Sequence, residues 1–364
     1  MQKVYLAKKV FTGEEWLHNV VITTEDGFVK SISPYEQASN PGVIDLKENF
    51  LLPAFIDLQI YGANKKLFAV YPTGDALKDL NNYCREGGAI LFQPTVATNT
   101  IDIFYNSIDA VKKYWEEAGQ GVIGLHLEGP WLNPEKRGAH PKELIHSPAI
   151  KEVEELLEYG KGIISMITIA PEVCSKEVIE LIRSYDIVIS AGHSNATYKE
   201  AITAFSNGVT TVTHLYNAMS SLQHRAPGLV GAAFNHPSVM ASIIPDGHHV
   251  DYAAVNIAVK QMKERLFVIT DAVTETNEGV YHHHSENDKY TAKGILSGSC
   301  LTMHKAFVNL VTNLSLAVED AAKMCSLYPA QLMGLKQYGK IAPGYTAQFL
   351  LLDDQLNLKE IING

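Results

Sequence analysis

The chain has 364 residues, 46% of them hydrophobic, and a formal charge of −10. That length suits one (β/α)8 barrel of about 250 residues with a smaller module, and the acidic balance argues against nucleic acid or an anionic membrane as a partner. No stretch approaches the ~18 apolar residues of a membrane span, and the start, MQKVYLAKKVFTGEEW, lacks the uninterrupted apolar core of a secretory signal.

Residues 1 to about 51 alternate apolar and polar in short runs, with Asp26-Gly27 where a hairpin should turn. The end of the chain, IAPGYTAQFLLLD and LKEII, reads the same way. Residues 1–51 and 340–364 are therefore expected to pair into a small β-sandwich, with a barrel over 52–339. Between them run eight apolar segments: LLPAFIDLQ, GAILFQPT, VIGLHLEG, IISMITIAPE, IVISAGHS, VTTVTHLYN, MASIIPDG and LFVITDAV. Helical patterns are expected at 75–86, 142–159, 175–184, 196–206 and 250–264. Eight such units predict a parallel (β/α)8 barrel with its site at the C-terminal strand ends. Polar residues fall there: Asp57, Gln59, Glu128, His193, His214, Asp246 and Asp271. The cysteines, Cys84, Cys174, Cys300 and Cys325, show neither metal nor disulfide spacing, so a reduced cytoplasmic setting is expected.

Glu128, His193 and His214 end strands three, five and six. One carboxylate and two imidazoles converging on a barrel axis would hold one divalent metal and leave a coordination position open, as hydrolytic zinc requires. Ferrous iron suits the same ligands. His126 shares the strand face of Glu128 and should sit one layer deeper, supporting the site or simply packing. The run His282-His283-His284 lies in a polar segment, GVYHHHSENDKY, and reads as a solvated loop.

With these residues in place, the sequence resembles the amidohydrolase superfamily and, within it, the N-acetylglucosamine-6-phosphate deacetylase family. The likeness is carried in order by LLPAFIDLQIYG, GLHLEGPWLNPEKRGAH, AGHSNAT, THLYNAM, HRAPGLVGAAF, IPDGHHVDY, ITDAV and LSGSCLTM. It implies a barrel with a β-sandwich from both termini, the same three metal ligands, and Asp271 as catalytic acid/base. Asp271 would take a proton from the attacking water and return it to the departing sugar amine. His140 would help polarise the acetyl carbonyl. Arg225 and His249, with backbone N–H groups at Asn217 and Ala218, would hold the phosphate. The resemblance also implies a homodimer in which His249 reaches across the interface.

One departure stands out. Many superfamily members carry His-x-His at the end of strand one, whereas this chain reads Asp57-Leu58-Gln59, so one metal per subunit is expected. The implied reaction is hydrolysis of the acetamide of N-acetylglucosamine 6-phosphate, with its galactosamine epimer as the alternative substrate. A deaminase or cyclic-amide hydrolase is a remoter reading, and a barrel that only binds should have lost one of the four central residues.

Overall fold

A computed structural model describes residues 1–35 and 42–364. Among the described residues, contacts divide the chain into two compact units. One comprises Met1–Ile56, Cys84–Ile90 and Met303–Gly364; the other comprises Asp57–Tyr83 and Leu91–Thr302.

The first unit carries a seven-stranded sheet built from both chain ends. Leu358–Asn363 pairs with Gln348–Leu352, which pairs with Phe50–Pro53; Gln2–Phe11, Trp16–Glu25 and Phe28–Pro34 follow, and Ile44–Asp45 adds to Gln2–Phe11. The predicted turn at Asp26-Gly27 joins Trp16–Glu25 to Phe28–Pro34, with both turn residues at positive φ. Alternation places Tyr5, Val10, Ile22, Leu51, Phe349 and Ile362 in one apolar cluster.

The eight predicted apolar runs form eight parallel strands: Phe55–Ile60, Ala89–Ala97, Leu125–Glu128, Ile164–Ile169, Val188–Ala191, Thr211–Val212, Met240–Ile243 and Leu266–Val268. Parallel strands are covered on both faces, which explains their continuous rather than alternating apolar character. The ring closes beyond the last strand, where Asp271 N–H donates to the Gln59 carbonyl and Tyr61 N–H to that of Ala272, both at 2.9 Å. This is the expected (β/α)8 barrel.

Helices fall near four of the five predicted positions, at Gly74–Glu86, Lys176–Arg183, Tyr198–Ser206 and Tyr252–Met262. The caps are legible: Ser175, Thr197 and Asp251 each accept a backbone N–H of the first turn. The stretch 142–159 is helical only over Ile150–Tyr159, after a short 3-10 turn at Lys142–Leu144. Pro148 keeps Ser147 out of helical geometry, so the two cannot join. The longest helix, Ile101–Glu116, lies outside the predicted set. Its Ile, Phe, Tyr and Trp lower helix propensity, although Phe104, Ile108, Val111 and Tyr114 form its buried stripe.

His282–His284 is not a solvated loop. His283–Glu286, Lys289–Ala292 and Ile295–Ser299 form a three-stranded antiparallel sheet, and His283 is only 3% exposed. Alternation along that first strand turns His283 inward and leaves its neighbour His284 exposed.

Phe349 is fully buried in the terminal sheet's cluster. Phe349→Ala is expected to lower the unfolding free energy by ~3–5 kcal/mol, measured by urea denaturation. A change below about 1 kcal/mol would mean the cluster collapses around the cavity.

Candidate active site

Glu128 is the last residue of the third strand, and its side chain is almost fully buried. His193 and His214 follow the fifth and sixth strands by two residues, and Asp271 follows the eighth by three. All three have left-handed backbones, with φ of +47° for His193, +34° for His214 and +55° for Asp271. Non-glycine residues rarely adopt this region. Here the turn swings each side chain from the strand end into the barrel mouth.

The carboxylate and two imidazoles meet. Oε1 of Glu128 lies 3.3 Å from Nε2 of His193 and 3.1 Å from Nε2 of His214, and the two nitrogens are 3.1 Å apart. An ion with bonds of ~2.0–2.2 Å in tetrahedral geometry separates its ligand atoms by ~3.3–3.6 Å, so the triangle is slightly tighter than a coordinated one. His193 has its tautomer set: Nδ1 donates to the Lys136 carbonyl at 3.0 Å, leaving the Nε2 lone pair to face the triangle. Nδ1 of His214 is buried without a partner among the described residues.

His140 belongs to the same cluster. One ligand atom each from Glu128, His140 and His193 lies within 4.8 Å of the others. We nevertheless favour His214 over His140 as the third ligand, because His140 Nε2 approaches the opposite oxygen, Oε2 of Glu128, at 3.3 Å. That oxygen is also bonded at 2.6 Å by the Tyr61 hydroxyl. The donor set of one carboxylate and buried imidazoles fits a divalent metal.

Burial alone would push the Glu128 carboxyl up, but the imidazoles of His193, His140 and His214 hold it well below the usual carboxylate range. Burial, with His140 alongside, keeps His193 below its ordinary value and hence neutral, the state a ligand needs. Burial pushes Asp271 up to about 8; His214 opposes this, while Glu128, Asp246 and Asp57 add to it.

Gln59 joins the two carboxylates. Its Nε2 donates to Oδ1 of Asp271 at 2.8 Å and to the Tyr61 hydroxyl at 2.6 Å, and lies 3.2 Å from Oε1 of Glu128. Asp57 accepts instead from the Thr270 hydroxyl at 2.5 Å and from the Thr270 N–H at 3.1 Å. His126 sits a layer below, as expected from strand alternation, bonded to Thr168, which continues through Thr213 to Ser190.

A cavity of about 340 Å³ opens over these groups. His140, Asn217, Ala218 and His249 line it, and Arg225 does not. Arg225 is exposed on the loop before Gly228–Asn235, so the expected guanidinium contact is missing from a single chain. His249 faces its own chain's cavity, with Nδ1 bonded at 2.6 Å to Oδ2 of Asp246. The Asn217 N–H already donates to the His214 carbonyl at 2.9 Å. Of the expected anion-binding pair only the Ala218 N–H, at φ +48°, lacks a partner among the described residues.

Several contributors escaped the sequence reading. Tyr61 lies two residues past Gln59, a periodicity that would have pointed to it. Thr98 Oγ1 lies 2.8 Å from Nδ1 of His140, and its carbonyl accepts from the Tyr281 hydroxyl at 2.9 Å. Gly129 permits this approach, since a Cβ there would stand 2.3 Å from Thr98 Oγ1. Lys136, Tyr281 and His283 also line the cavity.

A buried carboxylate–imidazole triangle at the C-terminal mouth of a (β/α)8 barrel, with a further carboxylate beside it, defines a metal-dependent hydrolase site. The pattern of the Amidohydrolase family matches residues 50–364. The chain belongs to that family. An N-acetylgalactosamine-6-phosphate deacetylase of Escherichia coli O157:H7 is 30% identical over 99% of this chain and 98% of its own length. An N-acetylglucosamine-6-phosphate deacetylase of Danio rerio is 33% identical over 87% of this chain and 84% of its own. The crystal structure of N-acetylglucosamine-6-phosphate deacetylase from Pasteurella multocida superposes with a TM-score of 0.94 at 27% identity, covering 100% of this chain and 98% of that one.

Glu128→Gln, His193→Ala and His214→Ala are each expected to lower bound divalent metal, measured by elemental analysis of folded protein. Full occupancy in all three would place the ion elsewhere.

Proposed function

We propose that this chain is a metal-dependent deacetylase that hydrolyses N-acetylglucosamine 6-phosphate to glucosamine 6-phosphate and acetate. The observation that carries the reading is the placement of Asp271 beside the Glu128–His193–His214 triangle, in one cavity with Ala218 and His249. The names of the relatives accord with it. A divalent ion on the triangle, zinc in our reading and one per chain, would supply Lewis acidity toward the acetyl oxygen and acidify a water.

The chain's own groups do the rest. Gln59 occupies Oδ1 of Asp271, so Oδ2 is the atom that exchanges the proton. Its elevated affinity for a proton suits a group that takes one from attacking water and delivers it to the sugar nitrogen as the C–N bond breaks. An amine is a poor leaving group without that proton. His140, anchored through Nδ1 to Thr98 with Nε2 3.3 Å from Oε2 of Glu128, is the residue assigned to polarise the acetyl carbonyl once substrate is bound. At the opposite wall Asp246 fixes the His249 ring, leaving Nε2 for a phosphate oxygen beside the Ala218 N–H.

Homodimerisation belongs to the same proposal. The exposed Arg225 is a second residue, beside His249, that such an interface would bring to the anion site. A cytoplasmic setting accords with four scattered cysteines.

Acetate release from N-acetylglucosamine with and without the 6-phosphate tests the reading. The phosphate is expected to raise kcat/KM by ~10- to 100-fold, the scale of a charge-assisted contact. Equal efficiency on both would remove the phosphate site. Running the galactosamine 6-phosphate epimer alongside checks the sugar, since faster turnover of that epimer would reassign the substrate and keep the chemistry.

Asp271→Asn should keep its metal and lose ~10²-fold or more in turnover. Near-normal turnover of a metal-loaded variant would send proton transfer elsewhere.

A further inference from the structure

The sheet that follows the eighth barrel strand brings a histidine into the cavity that the proposed reaction leaves unused. His283 begins the strand His283–Glu286 and lines the cavity together with Ser297 and Gly298 of Ile295–Ser299. Its Nε2 is 3.0 Å from the Ser297 hydroxyl, which fixes the plane of the ring. Its Nδ1 is buried and has no partner among the described residues. A buried polar atom without a partner is costly, and native chains avoid it unless a ligand or water completes the bond. Because His283 lines the cavity, a ligand bound there is the group placed to supply that partner.

The surroundings hold this ring in place. Its backbone is pinned by the Thr276 N–H, which donates to the His283 carbonyl at 3.1 Å. Its ring lies nearly parallel to that of Tyr281, at 4° and 6.1 Å between centroids, and Tyr281 meets His140 edge-on at 6.0 Å. The sheet is tied to the loop after the seventh strand by His248, whose Nε2 lies 2.9 Å from Asp288 Oδ1. The ring is therefore preorganised at the cavity wall, and burial favours its neutral form, with one nitrogen a donor and the other an acceptor.

We propose that His283 is a substrate-binding residue whose Nδ1 hydrogen-bonds a ring hydroxyl of the amino sugar, making it a determinant of sugar specificity. The inference rests on the deacetylase reading and deepens it. The triangle and Asp271 act on the acetamide, Ala218 and His249 face the phosphate, and His283 supplies a neutral polar contact suited to a hydroxyl between those ends. An imidazole that is both donor and acceptor through its two nitrogens suits a hydroxyl, which is also both.

The test compares His283→Phe, His283→Asn and His283→Gln with the wild-type chain, using N-acetylglucosamine 6-phosphate and its 3-deoxy and 4-deoxy analogues. An Asn amide places a polar atom near the Nδ1 position, and a Gln amide places one near Nε2. His283→Phe is expected to raise KM by about 3- to 10-fold, the scale of one neutral hydrogen bond, with kcat within about twofold. Removing the contacted hydroxyl should penalise the wild-type chain and leave His283→Phe indifferent. His283→Asn should recover more of the wild-type KM than His283→Gln, with thermal melts showing all three folded. Recovery by Gln alone would make the residue a support for Ser297 and overturn the proposal. Equal penalties for both deoxy analogues in wild-type and variant chains would overturn it as well. Loss of folding in His283→Phe leaves the Asn and Gln comparison to decide. A wild-type chain that releases no acetate would sink the deacetylase reading and this inference together; normal wild-type turnover with an unchanged KM in all variants would sink this inference alone.

Discussion

The structure of the site follows from one requirement, the compensation of the Glu128 carboxylate. A charge in that buried position costs several kcal/mol unless it is paired and hydrogen-bonded. The surrounding groups meet this demand only in part. Tyr61 donates to one oxygen, Gln59 approaches the other, and three imidazoles surround them. Those imidazoles would balance the charge if protonated, yet burial holds His193 below its ordinary value. A carboxylate kept ionised beside a His193 ring kept neutral presents lone pairs to one point, and a divalent cation is a group that satisfies them.

Bringing these lone pairs together sets a geometric problem that the barrel solves. Strand ends in a closed sheet lie near the axis, but an extended backbone would carry His193, His214 and Asp271 past it. A single left-handed residue at each end redirects the side chain inward. Such conformations persist only where the surroundings over-determine them. Here the closing bond from Asp271 N–H to the Gln59 carbonyl does this for the eighth strand, and the bond from His214 N–H to the Ser242 hydroxyl for the sixth. The rigid sheet thus stabilises the strained turns that make the site.

Much of this was legible in the sequence, and what was missed has a physical pattern. Eight apolar runs announced the barrel because parallel strands buried on both faces cannot be written otherwise. Glu128, His193, His214 and Asp271 were legible because each stands where such a run ends. Local periodicity says nothing about which loops meet. Thr98 against His140 and Tyr281 joins chain segments 42 and 183 residues apart. His283 looked solvated because its neighbours in GVYHHHSENDKY are polar, and only the strand pairing reveals its inward turn. Arg225 and His249 differ in another way. Their residue types suit phosphate, but the type of a side chain does not say whether its loop faces the cavity of its own chain: His249 lines that cavity and Arg225 does not.

Gln59 shows why the departure from His-x-His is chemically coherent. An imidazole at that strand end would offer a lone pair to a second cation. The Gln59 amide nitrogen offers protons instead, and directs them at the Asp271 carboxylate at 2.8 Å and at the Tyr61 hydroxyl that bonds Glu128. A neutral donor thereby takes up lone pairs on the Asp271 side while leaving the His193 and His214 nitrogens to the other. The exchange also alters the acid. Burial raises the proton affinity of Asp271 in these surroundings. A carboxyl bonded directly to a second cation would be held ionised and would be a poor donor to a departing amine. Replacing histidine by glutamine on strand one therefore favours a site in which one carboxylate helps to hold the ion and the other remains free to carry a proton.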